Sequence, residues 1–164
     1  MIKNTYLIFC FAILMVSCRN KTETIEQAES NDLTEESTQA MLERLKDEGF
    51  QTWSTVDEKT GDTLVMQQYF MAFLKRGDNR NQSKAEADSL QNLHLAHLTK
   101  MYDLGYADVS GPFGDDGDMR GITIYNVPTI EMADSLANSD PMVKAGRLKI
   151  EIKPWWAGKG YGLR

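Results

Sequence analysis

The residues whose types invite chemistry are His94, on a helix, and the pair Asp115 and Asp116, in a glycine-rich loop downstream. The helical segment reads Leu90-Gln91-Asn92-Leu93-His94-Leu95-Ala96-His97-Leu98 and carries both of the chain's 2 histidines. The loop reads Gly111-Pro112-Phe113-Gly114-Asp115-Asp116-Gly117-Asp118-Met119-Arg120-Gly121. An imidazole beside a carboxylate is an arrangement for moving protons near neutral pH. In that reading His94 takes a proton from water or from substrate, while Asp116 orients the ring and stabilises its charged form. Asp115 is the alternative partner. Backbone amides around Gly114 and Gly117 hold a developing negative charge, and Ser110 or Arg120 contacts substrate.

Bland readings compete with this one. Leu90, His94, His97 and Met101 fall on one helical stripe, and a histidine there is equally a hydrogen-bonded packing residue. Asp115, Asp116 and Asp118 together with the histidines offer ligands for a divalent metal. The spacing is neither an EF-hand nor a zinc-protease pattern, and the glycines match no phosphate-binding loop or dinucleotide fingerprint. The expectation is therefore a site without metal or cofactor.

These residues need elements to position them. Leu64 to Lys75 reads as a long, largely buried strand. Ser83 with Glu86 forms a capping box that opens a helix running to about Leu104 and ended by Gly105. Tyr106 to Ser110 and Ile122 to Val127 read as strands around the glycine loop. Thr129 caps a second helix, which Asp140-Pro141 breaks. Leu148 to Lys153 alternates apolar and polar residues as a half-solvated strand does, with Trp155 and Trp156 closing it. Strand, helix, strand, strand, helix, strand is the order of the ferredoxin-like α+β fold. Ahead of it, Asp32 and Glu35 cap a helix to Glu48, stopped by Gly49. Phe50 to Val56 and the turn residues Asp57 to Asp62 make a hairpin into the main domain.

The N-terminus reads as an address. Lys3 precedes the apolar run Tyr6 to Val16, too short for a membrane span of roughly twenty residues. Ser17 and Cys18 follow, as in a bacterial lipoprotein signal in which Cys18 is lipidated. Residues 1–17 are then a signal peptide, 18–32 a flexible tether, 33–62 an N-terminal helix and hairpin, 63–157 the main domain and 158–164 a tail. With Cys10 removed and Cys18 capped, thiol chemistry and disulfides are excluded. The expected location is the cell envelope, lipid-anchored, facing the periplasm from the outer membrane. With 18 basic against 24 acidic residues the net charge is −6. That balance, without a basic cluster, argues against nucleic acid and against adhesion to anionic lipid, so the lipid anchor is the expected membrane contact.

His94-Leu95, Gly105, Gly111-Pro112, Asp115-Asp116-Gly117, Gly121, Asp140-Pro141 with Val143, Ala145-Gly146 and Pro154-Trp155-Trp156 occur in a characteristic order. Over about residues 64–156 the chain resembles the YciI-like (YCII-related domain) family. The resemblance implies a ferredoxin-like domain that pairs into a dimeric α+β barrel, a homodimer with a small-molecule cleft. It also implies a His-Asp dyad, with His94 at the family histidine and Asp115 or Asp116 at the loop aspartate. At least one relative is a dehalogenating hydrolase, so metal-independent hydrolysis or proton transfer is expected. The alternative is a non-catalytic binding or structural envelope module. Relatives frequently carry Arg three residues before the histidine; here Gln91 stands there, which removes a cationic neighbour. Relatives are also generally cytosolic, whereas this chain is expected to be exported.

Overall fold

Long β-branched and aromatic runs make the strands, and sequence-local caps delimit the helices. The structure, a computed structural model, describes residues 37–163. The expected signal, the tether, Cys18 and the Asp32–Glu35 cap lie outside the described residues. Helix α1 spans Thr38–Asp47, with Ser37 as its cap, Oγ accepting from the Ala40 amide. Strands β1 (Thr52–Val56) and β2 (Thr63–Arg76) form a hairpin. Its turn is held by the Asp57 carboxylate, which accepts from the Lys59 and Thr60 amides. Helix α2 covers Lys84–Asp103, β3 Ala107–Pro112 and β4 Met119–Tyr125. Helix α3 covers Ile130–Asn138, the short helix α4 Pro141–Lys144, and β5 Leu148–Gly158.

Strand β2 is the spine. Its residues Phe70 to Lys75 pair antiparallel with both β4 and β5, so those strands must occupy its two edges. β3 pairs outside β4, and β1 pairs with the start of β2. The sheet order β5-β2-β4-β3, with α2 and α3 in the crossovers, is the ferredoxin-like α+β arrangement. Side chains alternate across a strand. One face therefore buries Phe70, Ala72 and Tyr125 against Met101 of α2 and Ala133 and Ala137 of α3. Burying each large apolar side chain stabilises the fold by about 1.5–3 kcal/mol. A second cluster, Leu74, Met142 and Leu148, joins the far end of β2 to α4 and β5, with Leu90 of α2 packed against it.

Two features of the sheet differ from the sequence expectation and matter below. β5 does not stop at Lys153 but runs through Trp155 and Trp156 to Gly158, paired with β2 as far as Met66. Two register shifts interrupt the ladder. One skips Arg120, between the Leu74–Gly121 and Lys75–Met119 pairs; the other skips Asp108, between Ala107 and Val109. A skipped residue re-aims the side chains around it. Asp140-Pro141, expected only to break a helix, also starts α4, with Asp140 as N-cap and Pro141 in the first turn.

Candidate functional site

The site is built on α2. Ser83 and Glu86 complete the expected capping box: the Ser83 amide donates to the Glu86 carboxylate at 2.8 Å, and the Glu86 amide donates to Ser83 Oγ at 3.3 Å. From that fixed start, His94 and Met101 are the buried residues of a twenty-residue helix. His94 is 8% exposed. Its Nδ1 lies 2.5 Å from Oδ2 of Asp140, which is 3% exposed. The other oxygen, Oδ1, accepts from the Met142 amide at 2.7 Å. One carboxylate thus does two jobs, capping α4 and holding an imidazole. The Pro141 ring, preset for the first helical turn, fixes the backbone that aims it. A buried carboxylate is tolerable because both of its oxygens are hydrogen-bonded.

This corrects the expected partner. His94 does not meet Asp116 or Asp115. Asp116 lies on the solvent side of the glycine loop with its side chain 87% exposed. It accepts from Arg120 at 2.6 Å and from Arg76 at 3.1 Å. Those guanidiniums, Arg120 foremost, hold its carboxyl below the usual range. Asp115 is exposed and lies over Gly117, its Oδ2 3.1 Å from where a side chain would start there. The physical reason is charge matching: Asp116 meets Arg76 and Arg120, while the buried imidazole meets the buried carboxylate of Asp140.

Beside His94 opens a cleft of about 370 Å³. Of the expected site residues, His94, Ser110 and Arg120 line it; Asp115, Asp116, Gly114 and Gly117 do not. The skipped Asp108 sets Ser110 opposite Thr123, with 3.0 Å between their hydroxyl oxygens. The skipped Arg120 reaches the cleft, and its guanidinium also donates to the Gly117 carbonyl at 3.1 Å. Gly117 therefore positions Arg120 and does not present its amide to the cleft. Leu74, Leu98, Met142 and Leu148 supply apolar walls.

With Asp140 accepting from Nδ1–H, the neutral imidazole keeps its lone pair on Nε2, and the ring lines the cleft. That is the protonation state a general base needs. One turn along, His97 is half-buried, and its Nε2 is buried without a hydrogen-bond partner. Burial lowers its basicity, partly opposed by the Asp140 charge. Among the described residues, no group of three or more His, Cys, Asp or Glu side chains is placed to hold a metal ion.

Asp140 is the partner of His94 that sequence reasoning missed. The signal was present: a carboxylate directly before a proline, in a helix-start position.

Comparison with known proteins gives a family and a structural likeness. The family model described as the YCII-related domain matches residues 69–156. None of the curated proteins compared matches the chain. Among solved structures, the chain is similar to 5-chloro-2-hydroxyhydroquinone dehydrochlorinase from Burkholderia phenoliruptrix AC1100, in complex with 2,5-dihydroxybenzoquinone. The identity is 25%, the match covers 52% of this chain and 92% of that one, and the TM-score is 0.37.

Proposed function

The chain belongs to the YCII-related domain family, and we propose that its cleft binds a small molecule on which His94 acts as general base, with Asp140 as its positioning residue. Metal-independent hydrolysis or proton transfer is the reaction class. One observation carries this reading: the 2.5 Å contact between Asp140 and His94 Nδ1 at the wall of an open cleft. A packing histidine has no need of a cavity beside it, and a pure binding pocket has no need of a buried carboxylate orienting a ring.

The test is proton exchange and turnover over a panel of small esters and carbon acids, followed by proton NMR in D2O with the full chain. Loss of the wild-type reaction in His94→Gln, with reduction in Asp140→Asn, supports the assignment. A panel member that binds in the cleft but reacts equally in both variants overturns it in favour of a non-catalytic binding module.

We propose in addition that two copies pair. The sheet face opposite the α2 and α3 core carries half-buried Met71, Phe73, Ile122 and Ile124, an apolar surface suited to a second copy. Sedimentation of wild type against Phe73→Lys checks it: a dimer that the variant dissociates is expected. Lipidation at Cys18 and residence in the cell envelope complete the proposal; Cys18→Ser moving the protein from the membrane to the soluble fraction is the corresponding expectation.

A further inference from the structure

The cleft is positively charged in an acidic protein. Arg80, Arg120 and Arg147 line it, and no Asp or Glu does, although the chain as a whole carries net charge −6. The three arginines come from separate segments: the β2–α2 loop, the skipped position of β4, and the connection from α4 into β5. Gln91 also lines the cleft. The positive charge is thus delivered from other elements than the α2 position three residues before His94.

The donors of these arginines are incompletely used. Arg147 Nη1 donates to Gln82 at 3.1 Å, but its Nε is buried and has no hydrogen-bond partner. A buried N–H left unpaired is unfavourable unless something else accepts from it. Arg80 donates to the Arg147 carbonyl at 3.3 Å and is otherwise exposed. Slight desolvation at the cleft mouth first, then the like charges of Arg147, Arg76 and Arg120, press Arg80 below the usual guanidinium range, with Asp116 opposing. Gathering like charges around one hollow is unfavourable in the empty site and favourable once an anion sits among them. Asp116 pairs with Arg120 and Arg76 but does not line the cleft. Leu74, Leu95, Leu98 and Met142 also line the cleft and supply its apolar wall.

We infer that the cleft selects a small organic carboxylate with an apolar body, its carboxylate held by Arg147 and Arg80 and its body against the leucine and methionine wall beside His94. The guanidinium fork matches a carboxylate in two parallel hydrogen bonds, which an ammonium group cannot do. A cleft of about 370 Å³ is within the size range of small-ligand pockets. The inference rests on the reading of this cleft as a ligand site and names the class of ligand.

The test titrates the full chain with benzoate, with its neutral analogue benzamide, and with inorganic phosphate. Binding is read by calorimetry and by NMR shifts of the Arg147 Nε–H and the Leu98 and Met142 methyls. Benzoate is expected to shift all three, to weaken as salt is added, and to bind about tenfold more tightly than benzamide. Arg147→Gln and the exposed-site variant Arg80→Gln are each expected to weaken benzoate about tenfold. Arg80→Gln keeps the test decisive if Arg147→Gln is poorly folded. Benzamide binding as well as benzoate, or benzoate unaffected by Arg80→Gln, overturns the carboxylate inference and leaves the ligand cleft standing. Phosphate binding as tightly as benzoate overturns the apolar body. No binding of any probe up to about 10 mM, an affinity below roughly 3 kcal/mol, overturns the cleft reading itself.

Discussion

The perturbation that isolates the His94–Asp140 contact is a double-mutant cycle with His94→Leu and Asp140→Ala. Asp140 makes two bonds, to His94 Nδ1 at 2.5 Å and to the Met142 amide at 2.7 Å. Removing the cap on α4 costs about 1 kcal/mol. Leaving the His94 Nδ1–H buried and unpaired adds about 1–3 kcal/mol. Asp140→Ala is therefore expected to lose about 2–4 kcal/mol of stability in urea unfolding. Asp140→Asn caps a helix about as well as Asp, so it should lose only the charge-assisted part, about 1–2 kcal/mol. The coupling energy in the cycle is expected at about 1.5–3 kcal/mol, the range for hydrogen bonds to charged groups. Losses that add to within about 0.5 kcal/mol would refute the contact as an energetic unit and with it the orientation of the ring.

Further outcomes follow from the same geometry. Asp116→Asn releases Arg120 and Arg76 from their counter-ion; it should leave the His94 tautomer unchanged and tighten benzoate binding, read by calorimetry. Partial burial holds the folded-state pKa of His97 below the ordinary histidine value of about 6.5. Its unfolded form binds the proton first, so stability is full above pH 6.5 and falls as the pH drops below it. Urea midpoints between pH 7.5 and 5 should show that slope, and His97→Leu should flatten it. Gly77→Ala would place a side-chain carbon 2.1 Å from the Gly146 carbonyl oxygen and 2.6 Å from the Arg147 backbone carbon. Neither backbone can yield, so a loss of about 3 kcal/mol or more is expected from thermal unfolding, along with weaker carboxylate binding as Arg147 moves.

Much of the architecture was legible because it is written in local signals. Ser83 and Glu86 are three residues apart and cap α2 as a box. Thr129 caps α3, its Oγ1 accepting from the Met132 amide at 3.2 Å. The alternation of Leu148, Ile150 and Ile152 marks β5, and Gly105 ends α2 with φ +72°. Such features depend on neighbours within four residues. Where sequence reasoning fell short, the cause was non-local. Trp155 and Trp156 continue β5 because β2 extends far enough to pair with them, which no window around the tryptophans contains. α4 is four residues long, too short for a periodic signal.

The site divides in the same way. His94 stood out because it sits among leucines. The sequence points for its partner to the loop richest in carboxylates, where Arg76 and Arg120 hold Asp116 at the surface. Asp140 lies 46 residues away from His94, and in sequence its Asp-Pro pair signals only a backbone break. A proline that preorganises a helix start also preorganises the side chain before it. The positive cleft was hidden too, because Arg80, Arg120 and Arg147 are scattered in the sequence and converge only through the skipped residue of β4 and the turn entering β5.

The most direct measurement of the central claim is the long-range nitrogen–proton NMR spectrum of the His94 ring, recorded above its titration, in wild type and Asp140→Asn. The account predicts a proton on Nδ1 and a bare, pyridine-like Nε2 in wild type, with that preference lost in the variant. A wild-type ring protonated on Nε2, or one identical in both proteins, would contradict it.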